Sequence, residues 1–183
     1  MASWSKIARR IRVPLGFAFA ALYLWLANPG LTSLALGSLF VVPGLMLRAI
    51  ASGHVTKNEQ LTTSGPYAYT RNPLYLGSFV LAIGFAVAAR SWVIAVVMIA
   101  MFLAIYMPVI RSEEEYLLAH FSEFKDYSAH VPRLLPRLTA HSHEHGAFSW
   151  SLYLKHREYN ALLGALAIMG VLALKMWWIS RGR

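Results

Sequence analysis

Residues 74–110 read LYLGSFVLAIGFAVAARSWVIAVVMIAMFLAIYMPVI, and Arg90 is the one charged side chain among them. Arg90-Ser91 divides the run into two blocks, Leu74–Ala89 and Trp92–Ile110. A helix needs about 20 apolar residues to cross the ~30 Å hydrocarbon core of a bilayer. An open sheet would leave backbone groups unpaired in lipid, so both blocks are predicted as helices joined by a tight turn. The first block is short and holds Gly77 and Gly84, which predicts close packing against a neighbouring helix.

Outward from this hairpin, three more apolar blocks complete the chain. Val13–Ala27 and Leu31–Ala51 are joined by Asn28-Pro29-Gly30, a turn signal, and Tyr159–Ile179 comes last. The prediction is an all-α integral membrane protein of about five transmembrane helices. Of the 183 residues, 57% are hydrophobic and 14% charged, against roughly 25% charged in a soluble domain. Three parts are expected: an N-terminal helical hairpin over 1–52, a core over 53–137, and a connector with a last helix over 138–183. The basic residues and apolar stretch at the amino terminus imitate a signal peptide, but a second span follows at once, which predicts retention. Trp92, Trp177 and Trp178 stand at span ends as interfacial anchors, and Lys175 is expected to snorkel to the interface.

The formal charge is +9, and its placement decides its meaning. Lys6, Arg9, Arg10 and Arg12 precede the first span, as the positive-inside rule and anionic lipid headgroups require. Membrane lipids are therefore the expected partners, and nucleic acid is not. With the amino terminus cytosolic, Ser52–Asn72 and Arg111–Glu158 both face the cytosol. The last span then leaves Arg181 and Arg183 outside, against the rule. The chain has no cysteine, which excludes disulfides, thiolate metal sites and thiol nucleophiles.

The two cytosolic segments hold the chemistry. In the first, Gly65-Pro66 is a turn signal, and Asn72-Pro73 sets a capping side chain before a proline at the first helical position. The unpaired N–H groups of such a helix start favour an anionic group. Tyr67, Tyr69 and Tyr75 offer flat faces with polar tips, suited to a purine or sugar and equally to an interfacial aromatic belt. In the second, Glu113, Glu114 and Glu115 follow directly on a span. Arg111 and Glu114, three apart, are expected on one helix face with Leu118 below. A carboxylate at the rim of an apolar pocket suits a cationic ligand such as a sulfonium, although a solvated acidic helix face reads the same way. His141, His143 and His145 alternate in a polar connector read as a loop, and no metal is assigned there.

Taken together, Gly65-Pro66-Tyr67, Arg71, Pro73, Tyr75, Gly77, Glu113-Glu114, Phe121, Tyr127, Val131-Pro132-Arg133 and Pro136 resemble the isoprenylcysteine carboxyl methyltransferase family, which is grouped with the phospholipid methyltransferases. The resemblance covers residues 65–137, in order and at nearly the family spacing. It departs at three points: Asn72 stands for a histidine, Ser122 for a glycine, and one residue is missing between Phe121 and Tyr127.

The resemblance implies an S-adenosylmethionine-dependent methyltransferase with a cytosolic cofactor pocket. Its lipophilic small-molecule or lipid-modified substrate would enter from the bilayer. One wall of the cofactor site would be Tyr67, Arg71, Asn72, Pro73, Tyr75 and Gly77. The other would be Glu113, Glu114, Tyr127, Val131, Pro132 and Arg133. Arg111 and Glu114 are the catalytic candidates. Arg111 would pair an anionic substrate group through its guanidinium fork, and Arg157, before the last span, would frame a substrate portal. The competing readings are an NADPH-dependent membrane oxidoreductase of the sterol-reductase type and a non-catalytic membrane scaffold.

Overall fold

A computed structural model describes residue 16 and residues 18–56, 60–141 and 146–181. The basic cluster Lys6–Arg12, His143, His145 and Arg183 lie outside the described residues. In chain order the helices are α1 (residues 18–26), α2 (Leu31–Ser52), a 3-10 turn (Gly65–Ala68), α3 (Pro73–Ala89) and α4 (Trp92–Met101). A π-helical turn (Phe102–Tyr106), α5 (Met107–His120), α6 (Phe124–His130), α7 (Trp150–Lys155) and α8 (Tyr159–Arg181) follow. Among the described residues there is no strand.

Leu31–Ser52, Trp92–His120 and Tyr159–Arg181 are each long and apolar enough to cross a membrane, and Pro73–Ala89 is a shorter apolar helix. The fourth apolar block was expected to end at Ile110, but its helix continues for ten residues. Glutamate, leucine and alanine are good helix formers, so the end of hydrophobicity is not the end of the helix. Trp92–His120 has 29 residues, about 43 Å at 1.5 Å per residue, and exceeds a ~30 Å hydrocarbon core. Its glutamates therefore stand clear of the apolar segment. Pro108 has no N–H to donate to the carbonyl four residues earlier, and the wider π turn lies directly before it.

Four glycines set the register of the bundle. In antiparallel α2 and α3, Gly37 faces Gly84 and Gly44 faces Gly77. A Cβ on Gly37 would stand 2.7 Å from Gly84 O, and one on Gly44 would stand 2.9 Å from Gly77 O. The backbones touch, as Gly77 and Gly84 predicted, and their partners are glycines too. That register carries Arg48 to the start of α3, where it donates to Ser78 Oγ and to Leu74 O.

At the far end of the bundle the two short turns meet. Asn28 N donates to Ala89 O at 2.8 Å, Ser33 Oγ to Ala88 O at 3.1 Å, and Tyr23 OH to Phe85 O at 2.8 Å. Arg90 closes α3 in the left-handed region with φ 51°, as many helix ends do. Lys175 donates to Leu24 O at 2.6 Å and Trp25 O at 3.1 Å. These are among the last carbonyls of α1, which have no partner within their own helix, and the ammonium also complements the helix dipole. The snorkelling expected of Lys175 thus takes the form of a cap on α1. It also fixes α8, which starts beside Arg48 and ends at the far turn, so that it crosses the whole bundle.

Tyr23, Ala27, Leu34, Ala88, Ile94 and Leu172 pack at the far end, and Val41, Leu81 and Ala165 at mid-height. Large apolar side chains such as Leu39, Leu103, Leu163, Leu166 and Leu174 point outward. Exposed apolar surface that extensive belongs in lipid.

Candidate active site

At the end of the bundle opposite the Asn28 and Arg90 turns, the two motif segments are laced together by main-chain hydrogen bonds. Arg71 N donates to Pro132 O, Arg137 N to Tyr69 O and His141 N to Ala68 O, each at 3.0 Å. Thr70 Oγ1 donates to Arg133 O at 3.2 Å and Leu134 O at 3.1 Å. Gly65 opens the 3-10 turn at φ +57°, a conformation glycine adopts without steric cost. Tyr127 OH, from α6, donates to Tyr67 O at 2.7 Å. Burial, the largest cause, pushes both the Tyr67 and Tyr127 phenols up, so both stay protonated.

Glu114 is the hub of this lacing. Its carboxylate accepts from Asn72 Nδ2 at 2.9 Å and from Arg133 Nε at 2.9 Å. It is also paired with Arg133 Nη2 at 2.8 Å and Arg71 Nε at 3.3 Å. Asn72 stands at the N-cap position of α3, but its side chain makes no capping hydrogen bond. The amide turns instead to Glu114 and to Arg133 O, at 3.1 Å. The side-chain orientation that aims Nδ2 at the ionised carboxylate leaves Oδ1 without a capping bond to α3, and the charge-assisted hydrogen bond is the stronger kind.

Above this hub lies a cavity of about 230 Å³ lined by Tyr67, Arg71, Asn72, Tyr75, Glu113 and Tyr127, with Tyr116, Leu74, Leu117 and Thr56 among its other walls. Glu113 faces it and accepts from Tyr75 OH at 2.9 Å. Among the described residues, Thr56 Oγ1 and Arg71 Nε are buried without a hydrogen bond. Both belong to residues of this cavity; Arg71 Nε is within ion-pair distance of Glu114, whereas Thr56 Oγ1 has no hydrogen-bond partner and calls for an explanation.

The other expected site residues lie elsewhere. Pro73 is buried at the first position of α3, and Gly77 faces α2. Val131 is buried against Phe124 and Tyr127, while Pro132 and Arg133 form the strap behind Arg71 and Glu114. Arg111 and Glu114 do not share an environment, since Arg111 is exposed and Glu114 buried. Arg157 is exposed in a left-handed turn at φ 52°. Neither Arg111 nor Arg157 lines the cavity.

Below it, between α1, α3, α4 and α8, are two further cavities of about 390 and 320 Å³ that share Phe19, Phe85, Met98 and Ile168. They are apolar except at the site end, where Arg48, Ser78 and Tyr106 close the larger one. Arg48 holds Glu158 bidentately, Nε to Oε1 at 2.6 Å and Nη2 to Oε2 at 3.0 Å. Tyr106 meets Tyr75 edge to face, ring centroids 5.9 Å apart, and stacks on Phe102 at 5.4 Å. Because Tyr75 lines the upper cavity and Tyr106 the lower, this pair is a shared wall. Sequence reasoning missed Arg48, although an ionisable residue inside an apolar span is itself a functional signal. It also missed Tyr106 and Tyr116, which nothing in their sequence neighbourhood distinguishes.

Residues 15–123 match the family model described as phospholipid methyltransferase. The nickel-cobalt-cadmium resistance protein NccN of Alcaligenes xylosoxydans xylosoxydans is 35% identical over 133 residues, covering 72% of this chain and 59% of that protein. The cobalt-zinc-cadmium resistance protein CzcN of Cupriavidus metallidurans is 32% identical over 137 residues, 74% of this chain and 61% of its own. The protein-S-isoprenylcysteine O-methyltransferase of Schizosaccharomyces pombe is 27% identical over 140 residues, 73% and 59% of the two chains. The chain thus spans about three fifths of the length of these curated relatives. No solved structure matches it.

Proposed function

The chain belongs to the phospholipid methyltransferase family, and on that premise we propose that it is a membrane-embedded enzyme that uses S-adenosylmethionine to methylate an amphiphilic acceptor. The observation that carries the reading is the pair of cavities, one polar and aromatic, one apolar and intramembrane, with Tyr75 and Tyr106 between them.

The upper cavity fits the cofactor by its donor set. Glu113 and the tyrosine faces suit a cation, the Arg71 guanidinium suits a carboxylate, and flat phenols suit a purine. Thr56 Oγ1 supplies an unspent polar atom. When bound, S-adenosylmethionine supplies a methyl carbon made electrophilic by its sulfonium. The residues of this chain hold the reactants in line and keep water out, and positioning of that kind can lower a barrier by several kcal/mol, on the order of 7–11. Tyr75 and Tyr106 set the boundary at which the acceptor's head would meet the upper cavity. Arg48 and Ser78 would hold the head, and the apolar walls its tail. A carboxylate acceptor needs no base. An amine must lose a proton, and Glu113 is the carboxylate lining the cavity that accepts it.

The acceptor is an isoprenylcysteine-like carboxylate or a phospholipid-like amine, and the site end faces the cytosol, a reading supported by the basic residues before the first span. The names of NccN and CzcN add a setting, tolerance of transition metals. Growth in cobalt medium of cells carrying the wild-type chain or Glu113→Gln tests it. Calorimetric titration with S-adenosylhomocysteine and with NADPH tests the activity. Binding of S-adenosylhomocysteine alone is expected, binding of NADPH alone would establish a reductase, and binding of neither would leave a scaffold. Transfer of a tritiated methyl group to prenylcysteine or to phosphatidylethanolamine then identifies the acceptor class.

A further inference from the structure

Outside the cavity, the site end carries a second cluster. Asp126 and His130 lie one turn apart on α6, and His141 reaches them from the chain beyond Arg137. One ligand-capable atom from each lies within 4.8 Å of the other two. The His130 and His141 rings are stacked, with centroids 5.2 Å apart and planes 17° from parallel. His130 Nδ1 lies 2.9 Å from the main-chain oxygen of Asp126 and 3.5 Å from its carboxylate. A proton on Nδ1 bonded to that carbonyl leaves Nε2 with a lone pair, the outer-shell arrangement found behind metal-bound histidines. The scaffold is fixed on both sides: Tyr127 OH ties α6 to Tyr67, and His141 N is tied to Ala68 O.

We propose that Asp126, His130 and His141 bind one divalent first-row transition cation of the zinc, cobalt or nickel kind. Two imidazoles and one carboxylate suit these borderline ions, whereas magnesium and calcium select oxygen. Metal bonds of about 2.0–2.2 Å bring ligand atoms to roughly 3.3 Å from one another, so the three groups close by about 1.5 Å. Asp126 and His130 are exposed, and their side chains rotate freely enough to do so. Water fills the remaining positions. Arg137, which donates to His130 O at 3.2 Å, is the nearby cation that opposes binding and limits its affinity. The cation staples residues 137–141 to α6, and it raises the melting temperature as any ligand of the folded state does.

The test uses the full-length chain in detergent, free of any purification tag and stripped with chelator, titrated with cobalt chloride. One Co²⁺ per chain with visible ligand-field bands is expected, together with a metal-dependent rise in melting temperature. His130→Gln/His141→Gln should lose the bands and weaken binding by about tenfold or more. His143→Gln/His145→Gln should bind as the wild type does. Melting of each metal-free variant checks the fold. If the double variant is destabilised, His130→Gln alone, at an exposed position, replaces it and should show the same loss. Unchanged affinity on loss of His130 and His141, loss only on removal of His143 and His145, or no saturable binding by the wild type would each overturn the assignment.

Discussion

Glu114→Gln separates a structural carboxylate from a ligand-binding one. The substitution keeps the shape of the side chain and removes the charge that balances Arg71 and Arg133. Removing one partner of a buried ion pair costs about 3–5 kcal/mol. Here the Glu114 side chain is 10% exposed and Arg71 14%, but Arg133 is 39% exposed, and an exposed partner is compensated by water. The lower figure, about 3 kcal/mol, is therefore the expected loss. At about 2–4 °C per kcal/mol for a chain of this size, the melting temperature should fall by about 6–12 °C. Affinity for S-adenosylhomocysteine should fall as well, because Arg71 is no longer held. Glu113→Gln is the counterpart. Its carboxylate faces the cavity and accepts from Tyr75 OH, so affinity should drop while melting stays within about 1 °C, the scale of a surface substitution. Differential scanning fluorimetry and calorimetry on both variants give the four numbers. A Glu114→Gln protein that melts like the wild type but no longer binds would place Glu114 in contact with the ligand and refute its role as hub.

Gly84→Leu would set a Cβ 2.8 Å from Gly37 O, and overpacking of that kind costs about 1–3 kcal/mol; a melting temperature unchanged in detergent would contradict the backbone contact. Arg48→Lys keeps the charge but loses the bidentate grip on Glu158, so the acceptor KM should rise about tenfold, or 1.4 kcal/mol of headgroup contact. Affinity for S-adenosylhomocysteine should not change, and a loss there instead would move Arg48 to the cofactor side. Asn72→His installs the residue that the resembling family carries and retains one ring donor for Glu114. Stability should change by no more than about 1 kcal/mol, one hydrogen bond, and a larger loss in chemical denaturation would show that both amide bonds are required.

The spans were legible because a bilayer imposes a length and a composition on any helix that crosses it. Much of the cavity was legible too: Tyr67, Arg71, Asn72, Tyr75, Glu113 and Tyr127 line it, and each was named from its motif. The division of labour between Glu113 and Glu114 was not. Adjacent helical residues point about 100° apart, so which one turns inward depends on where the helix is anchored. Glu114 is drawn inward by Arg71 and Arg133, from segments distant in sequence. The three-residue spacing that paired Arg111 with Glu114 leaves the two about 60° apart, enough to put one in solvent and the other in the hub. Arg48 and Glu158 are likewise joined only by the register of α2 and α3 and by the entry of α8. The amide of Asn72 was misjudged because a capping position offers a neutral partner and this fold offers an ionised one.

The π turn at Phe102–Tyr106 has a consequence for how the two cavities are joined. It amounts to one added residue, which offsets the two halves of a single helix by roughly 100°. The membrane half, with Met98 and Phe102, is thereby keyed to the greasy cavity, and the outer half, with Glu113, to the polar one. The offset acts as a splice between two modules. On the proposed function, side chains of the lipid-facing half could be exchanged to suit a different acceptor while Glu113 keeps its bearing on the polar cavity.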